Sequence, residues 1–150
     1  MQFSRRYMQR ALELARKAAQ LGEVPVAALI VDKQGQIIAE AINQVERDFL
    51  PTRHAEILAM EDAARRLKQR YLEDYSLYVT LEPCAMCAGA IAHMRIAKVV
   101  FAAYDLKSGG VEQGARVFDH AQCHHKPEII GGIQEREAKQ LLKDFFEGLR

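Results

Sequence analysis

The alternation of short apolar runs with segments of helical spacing constrains the fold of this sequence more than any other feature. The run VPVAALIVD at 24–32 is continuous and rich in branched residues, which is typical of a strand buried on both faces. It follows a segment from Ser4 to Leu21 in which apolar residues recur every three or four positions. Strands that alternate with helices predict a three-layer α/β domain, because helices cover both faces of such a sheet.

Further runs complete the predicted sheet. IIAEAI follows the turn KQGQ and predicts a hairpin partner, SLYVTL and AKVVFAAY predict two more strands, and PEIIGGI is a weaker fifth candidate. Helices are predicted over 54–70, 84–95 and 134–149, and 43–53 is a predicted loop. The sheet is therefore expected to be mixed, antiparallel at the hairpin and parallel where helices cross over.

Length and composition indicate one domain over residues 1–150, with a substantial core. The formal net charge of +1 predicts no strong field, so a nucleic-acid partner would need a local basic patch. No apolar run approaches a membrane span, and the first ten residues lack the apolar core of a secretory signal. Three cysteines are an odd number, which argues against a disulfide framework and favours a cytoplasmic protein without a membrane partner.

Two of the three cysteines lie in LEPCAMC at 81–87, where the third predicted strand ends and a helix is predicted to begin. Functional sites of α/β sheets collect at such strand ends. At i and i+3 of a starting helix, Cys84 and Cys87 face the same way, and the free N–H groups there favour thiolate. Thiolates serve both disulfide exchange and metal binding, so the pair by itself leaves both open.

His54 and Glu56 favour the metal site. His54 opens another predicted helix in TRHAEILAM, and one His with two Cys is an ordinary zinc set. Three protein ligands leave a position for water, which is typical of a catalytic zinc site rather than a structural one. Glu56 follows two residues later, where a carboxylate could take a proton from an attacking water. Alone it would be read as a solvated first-turn glutamate, but beside these ligands it is a catalytic candidate.

Another group of possible ligands lies in CHHKPE. Cys123 could be a fourth zinc ligand, and with His124 and His125 it could form a separate site. Adjacent histidines in a loop are more often ordinary surface residues, and we interpret all three in that way.

The segments HAE and PCAMC match the H-x-E…P-C-x-x-C signature of zinc nucleobase deaminases. More closely, EVPVAALIV, PTRHAEILAM, LYVTLEPCAMCAGAI and DFF resemble the bacterial tRNA-specific adenosine deaminases, over roughly Arg6 to Phe146. This resemblance implies a cytidine deaminase-like α/β/α sandwich, a homodimer, and a zinc-dependent hydrolase that takes part in tRNA processing.

The resemblance also implies the chemistry. His54, Cys84 and Cys87 would hold Zn²⁺, which would activate water for attack on C6 of adenine. Glu56 would protonate N1 and help ammonia to leave, converting adenosine to inosine at the wobble position of the tRNA anticodon stem-loop. The resemblance does not depend on the charge or the hydropathy of the chain.

Substrate contacts are implied as well. Asn43 would hydrogen-bond the target nucleotide, while Glu23 and Val24 would line the base pocket. Asp105 and Lys107 would lie near the nucleotides that flank the base.

The aromatic pair Phe145 and Phe146 matches residues near the RNA in the family, although one of them could instead fill the core. The chain departs from the family pattern at Leu50 and Arg53, where Asp and Ala are usual, and at Ala27, where Gly is usual. Arg53 could contact a phosphate or be solvated.

Two other functions stay open at this point. One is deamination of a small free substrate, such as guanine, cytosine or a nucleoside, with the same zinc chemistry. The other is a non-catalytic, zinc-stabilised binding module, which would need a fourth protein ligand. Arginines and lysines on the first two predicted helices could form an RNA-facing surface or simply be solvated helix faces.

Overall fold

The computed structural model describes residues 2–149, with side chains from residue 5 onward. Its centre is one five-stranded sheet with the spatial order β2-β1-β3-β4-β5. The strands are β1 (Ala27–Val31), β2 (Ile37–Ile42), β3 (Ser76–Leu81), β4 (Lys98–Ala103) and β5 (Glu128–Gly131). All five predicted strands are therefore confirmed, including the weak candidate that became β5.

The strand pairing confirms a mixed sheet. β1 is antiparallel to both of its neighbours, β2 and β3, and the β1–β2 register shifts between Ile30 and Val31. β4 runs parallel to β3 and to β5. Every residue of β1 is buried, as its continuous apolar sequence predicted, because helices cover both faces of this central strand.

Five helices flank the sheet: α1 (Gln2–Gln20), α2 (Val45–Asp48), α3 (Ala55–Leu67), α4 (Ala85–Met94) and α5 (Glu135–Gly148). α1 and α5 pack on one face, where Met8, Leu12 and Ala138 join a buried cluster with residues of β1, β3 and β4. α3 and α4 pack on the other face, where Met60 and Ile91 belong to a second buried cluster. The molecule is thus the expected three-layer α/β/α sandwich, with each layer held by burial of apolar side chains.

The boundaries differ from the sequence predictions at identifiable places. The helix predicted over 54–70 ends at Leu67, because Lys68 adopts a left-handed conformation with φ 54° and closes the last turn. The predicted loop over 43–53 contains the short helix α2. The parallel crossover from β4 to β5 contains no α-helix, and its only helical element is a 3₁₀ turn at Val117–Asp119.

Within residues 2–149, none of the helices combines the length and the apolar character that crossing a bilayer requires.

Candidate metal centre and substrate cavity

Two helices begin side by side at one edge of the sheet and supply the metal-ligating side chains. His54 is the N-cap residue of α3, and Cys84 is the N-cap residue of α4, with Cys87 in the first turn. Neither N-cap side chain makes a capping hydrogen bond to its own helix, and Sγ of Cys84 lies 3.7 Å from Nδ1 of His54. Both N-caps have extended backbone, which lets the strand-to-helix turns place these groups at the end of the sheet.

The donor atoms fit zinc in distance and in chemistry. Nδ1 of His54 lies 3.5 Å from Sγ of Cys87 and 3.7 Å from Sγ of Cys84. A tetrahedral ion with bonds of about 2.3 Å to sulfur and about 2.0 Å to nitrogen would hold such atoms about 3.5 Å apart. Across residues 2–149, no fourth His, Cys, Asp or Glu joins this group, whose ligand atoms all lie within 4.8 Å of one another.

The two thiols are hydrogen-bonded to each other, and their pKa values shift in opposite directions. Hydrogen bonding from Cys87, together with the hydrogen bond to His54, lowers the pKa of Cys84 to about 4 against the opposing effect of burial. The same hydrogen bond, together with burial, raises the pKa of Cys87. The hydrogen bond with Cys84 also raises the pKa of His54. A divalent ion bound here would stabilise both thiolates.

Glu56 lies in the first turn of α3 with only 3% of its surface exposed. Burial raises the pKa of its carboxyl to about 7, although its own backbone N–H, the charge of His54 and the Cys87 thiol act in the opposite direction. A carboxyl that titrates near neutral pH can both take up and release a proton during one catalytic cycle. Glu56 also faces the same cavity as the metal ligands.

A cavity of about 790 Å³ opens above the metal centre. Its size lies within the range of small-molecule sites, roughly 300–1,000 Å³. His54, Glu56 and Cys84 form its floor. Its walls come from the turn after α1, the loops after β2, β3 and β4, and the end of α5. The wall residues are Leu21, Gly22, Glu23, Val24, Val26, Asn43, Val45, Glu46, Pro51, Leu81, Glu82, Asp105, Ser108, Phe145, Phe146 and Leu149.

Six of the seven predicted substrate-contact residues line this cavity, and Lys107 does not. The side chain of Lys107 is exposed, and its backbone N–H donates to the carboxylate of Asp105. A contact between Lys107 and a flanking nucleotide stays a prediction.

The side chains of Asn43 and Glu23 form hydrogen bonds with the protein backbone. The Asn43 side chain accepts a hydrogen bond from Ala55 N at 2.8 Å and donates one to Val24 O at 3.3 Å. The Glu23 carboxylate accepts from the backbone N–H groups at the start of α2, at 2.8 and 3.1 Å. Both side chains therefore brace the cavity wall, and their direct contact with a nucleotide stays a prediction.

The aromatic pair lies at the mouth of the cavity. Phe145 is half-buried and Phe146 is 46% exposed, and neither belongs to a buried core cluster. Their rings meet edge to face with centroids 5.4 Å apart. The alternative in which one of them fills the core is therefore wrong.

The other candidate ligands lie apart from the metal centre. Sγ of Cys123 donates to His125 O, and the His125 ring contacts Ile96 O at 2.6 Å. Together with His124 they line a separate cavity of about 580 Å³. None of the three joins the metal-ligand group.

Leu50 and Arg53, the two residues that depart from the family pattern near the candidate ligand His54, both lie in the loop that precedes it. Arg53 forms an ion pair with Asp48 at 3.0 Å across the loop that leads to α3. Its guanidinium therefore stabilises the loop in this structure. Leu50 is 49% exposed.

One wall residue escaped the sequence reasoning. Glu82 follows β3 directly and is 2% exposed, although it carries a carboxylate. The sequence does contain a signal for this residue, because Glu82 lies between a buried strand and the cysteine motif. Burial of a carboxyl there costs free energy unless the carboxyl is hydrogen-bonded.

Comparison with known proteins agrees with this geometry. A sequence profile described as the cytidine and deoxycytidylate deaminase zinc-binding region matches residues 1–103. The tRNA-specific adenosine deaminase of Rickettsia bellii is 44% identical over 144 residues, which cover 95% of this chain and 99% of that protein. The tRNA-specific adenosine deaminase of Aquifex aeolicus is 46% identical over 144 residues, with 96% and 94% covered.

A solved structure has the same fold. It comes from a study of A-to-I editing by tRNA deaminases at the wobble position of transfer RNA, and it superimposes with a TM-score of 0.88. The two chains are 40% identical, and the match covers 91% of this chain and 98% of the other. The profile match over residues 1–103 includes both of the helix starts that carry the candidate metal ligands and the wall of the cavity as far as Glu82.

Proposed function

We propose, from the premise that this chain belongs to the zinc-dependent cytidine and deoxycytidylate deaminase family and within it to the tRNA-specific adenosine deaminases, that it converts adenosine to inosine at the wobble position of tRNA. The observation that carries the proposal is a three-ligand zinc site at the floor of a nucleoside-sized cavity, with a buried carboxyl beside it. A structural zinc site would have a fourth protein ligand.

The protein supplies binding and proton transfer. His54, Cys84 and Cys87 would hold a zinc ion, which would supply Lewis-acid activation of a water molecule. The carboxylate of Glu56 takes one proton from the water as its oxygen bonds to C6 of adenine, and delivers that proton to N1. Glu56 then takes the remaining proton of the hydroxyl on C6 and transfers it to the amino group, so that the bond from C6 to the amino nitrogen breaks, ammonia leaves, the C6 carbonyl of inosine forms and the carboxylate is regenerated. A pKa of about 7 suits both directions of transfer, because neither state of the carboxyl is strongly disfavoured near neutral pH.

The rim of the cavity supports an RNA substrate. Sequence-specific RNA recognition commonly uses unpaired bases that stack on aromatic side chains. The cavity lining includes Phe145 and three apolar side chains that are exposed, those of Leu21, Phe146 and Leu149. An extruded anticodon base would enter the cavity, while its neighbours in the loop would rest on this apolar rim.

Assembly and location are further parts of the proposal. We infer a homodimer and a cytoplasmic site of action, as expected for a tRNA-modifying enzyme whose free thiols must stay reduced for metal binding. The Cys84 and Cys87 thiols would lose zinc binding if they were oxidised to a disulfide. Light scattering of the zinc-loaded protein, expected to give twice the mass of one 17.0 kDa chain, tests the dimer.

The test of the proposed activity compares substrates. Purified protein is incubated with total tRNA and, separately, with guanine, cytosine, adenine and their nucleosides, and products are identified by mass spectrometry. The proposal predicts inosine in tRNA at the wobble position and none in the Glu56→Ala variant. Conversion of a free base or nucleoside with tRNA untouched would instead assign the small-substrate deaminase, and no conversion of any substrate by zinc-loaded protein would favour the binding module.

A further inference from the structure

Glu82 accepts hydrogen bonds from four backbone N–H groups of the loop that follows β4. Its Oε1 atom accepts from Asp105 N at 3.1 Å. Its Oε2 atom accepts from Val111, Glu112 and Gln113, at 3.1, 2.8 and 2.9 Å. One buried carboxylate therefore joins both ends of the 105–113 loop.

The same loop packs against the backbone that carries the first cysteine ligand. Gly109 forms an isolated β-bridge with Cys84, and Gly110 N donates to Pro83 O at 2.8 Å. A Cβ at Gly109 would lie 2.7 Å from Cδ of Glu82, and a Cβ at Gly110 would lie 2.5 Å from Ala85 N. These contacts leave no room for a side chain, so the loop, the carboxylate and the start of α4 form one closely packed unit.

The loop in turn forms one wall of the cavity. Asp105 and Ser108 line the cavity, and Oδ1 of Asp105 accepts from Lys107 N and Ser108 N at 3.1 and 2.9 Å. The bond from Asp105 N to Glu82 fixes the start of this turn at the metal edge of the sheet. Without that bond, the start of the turn would lose its link to Glu82, while Gly109 and Gly110 would still contact Cys84 and Pro83.

The hydrogen bonds of Glu82 are directed at the backbone of one loop. Oε2 accepts from three N–H groups and Oε1 accepts from Asp105 N. Glu82 lies in the cavity wall but is only 2% exposed, so these backbone groups are the partners that its carboxyl oxygens contact. Glu23 and Glu56 are the other buried carboxyls of the cavity: Glu23 accepts from two N–H groups at the start of α2, whereas Glu56 lies beside the candidate metal ligands.

We propose that Glu82 is a positioning residue that joins the 105–113 loop to the metal edge of the sheet and thereby holds the Asp105–Ser108 wall at the correct distance from the bound nucleotide. This inference rests on the proposed function for its substrate, because the wall is assigned to nucleotide binding there. The anchoring itself depends only on the contacts of Glu82 and has its own test below.

The Glu82→Gln variant separates the two ends of the anchor. Glutamine is nearly isosteric, and its carbonyl oxygen can keep the three N–H groups that Oε2 now accepts. Its NH₂ group would then face Asp105 N, so that two donors meet and the bond at that end is lost. Glu82→Ala would leave all four N–H groups without a partner, and its failure to fold would be uninformative, so Glu82→Gln is the primary variant.

The first measurement is hydrogen exchange of backbone amides in the zinc-loaded protein, which is independent of activity. In Glu82→Gln, we expect the Asp105 amide to exchange about tenfold faster or more, as for the loss of one hydrogen bond to a charged group. The amides of residues 111–113 should keep their protection. An unchanged Asp105 amide would overturn the anchor.

The second measurement is steady-state kinetics on tRNA, with zinc content determined in the same samples. We expect KM to rise about tenfold or more, while kcat changes by no more than about threefold and one zinc per chain is retained. Glu61→Gln is the matched control, because it neutralises an exposed carboxylate on α3 away from the loop, and it should leave both constants unchanged.

The outcomes of the two measurements are distinguishable. A large fall in kcat with unchanged KM would place Glu82 in the chemical step and overturn the positioning role, as would loss of zinc. If the wild-type protein did not deaminate tRNA, the proposed function would fail, while faster exchange at Asp105 would still establish the anchor.

Discussion

The floor and the rim of the cavity are built in different ways. The floor consists of His54, Glu56 and Cys84, and Cys87 is buried beside them; all four residues lie at or near the starts of two packed helices. The rim consists of apolar side chains that are largely exposed to solvent: Leu21 is 71% exposed, Phe146 46% and Leu149 69%. The floor is fixed by the packing of the fold, whereas the rim is held by few buried contacts.

This difference separates chemistry from substrate choice. Deamination needs a metal, a water and a proton carrier in one geometry, and the two helix starts provide that geometry. Recognition of a large RNA needs exposed surfaces around the opening, which the rim provides. Changes in the floor should therefore abolish turnover of every substrate, and changes in the rim should affect the RNA substrate most.

Removal of a floor ligand should have the largest effect. Cys84→Ala leaves two protein ligands, so we expect loss of tightly bound zinc and of all deaminase activity. Metal analysis after gel filtration measures the first effect. Cys123→Ala is the control, because this thiol lies outside the ligand group and should keep one zinc per chain. Zinc retained by Cys84→Ala and lost from Cys123→Ala would reverse the assignment.

Removal of the proton carrier should have the next largest effect. Glu56→Ala is expected to keep zinc and to lower kcat by about 10²- to 10⁴-fold, because proton transfer by a positioned group contributes about that much. Ammonia release from tRNA measures the rate. Activity within a few-fold of the wild-type protein would exclude Glu56 from the mechanism, and loss of zinc would make it a structural residue of the site.

Burial of Glu56 should also make the stability of the metal-depleted protein depend on pH. The pKa of Glu56 is raised from 4.5 to about 7, so the folded protein holds this proton more tightly than the unfolded chain does. The stabilisation is complete below pH 4.5 and is lost as pH rises through 7, by about 3 kcal/mol for a shift of this size.

Glu56→Gln removes this titration without changing the size of the side chain. We compare the free energy of unfolding of Glu56→Gln with that of the wild-type protein, by urea unfolding at pH 4.5 and at pH 8. The difference, variant minus wild type, should be about 3 kcal/mol larger at pH 8 than at pH 4.5. Parallel pH profiles for the two proteins would show that the carboxyl titrates normally.

A rim substitution should have the smallest effect and the most selective one. Phe146→Ala is expected to weaken the use of tRNA by about 1–3 kcal/mol in kcat/KM, as for loss of one base-stacking side chain. Zinc content and folding should not change, since Phe146 lies outside the core clusters. A matched substitution at Tyr71, whose ring packs under Arg95 away from the cavity, should have no effect on kcat/KM. Equal losses in both variants would remove the aromatic rim from RNA binding.

The sequence sufficed for the parts of the molecule that local patterns determine. β1 is a continuous buried run, and the residues around Cys84 and His54 are helix starts at strand ends, so both their structure and their meeting at one edge could be predicted. The grouping of His54, Cys84 and Cys87 could be predicted for the same reason, because it depends on two short motifs and on the rule that places strand ends together.

Other parts depend on contacts between distant residues. The position of β1 between β2 and β3 could not be read from the hairpin pattern, since a hairpin can join a sheet on either side. The helix α2 is only four residues long, and its first N–H groups are satisfied by the distant Glu23 carboxylate. The Glu82 anchor joins residues 23 to 31 positions apart, which no local pattern reveals.

X-ray absorption at the zinc edge of the purified protein tests the central claim, a three-ligand zinc site open to water, most directly. The account predicts two sulfur ligands at about 2.3 Å and two nitrogen or oxygen ligands at about 2.0 Å. That spectrum should be the same in a variant in which Cys123, His124 and His125 are all replaced by alanine, because none of these residues joins the ligand group. A third sulfur, or a light-atom ligand that disappears in the triple variant, would show a site closed by protein and would contradict the account.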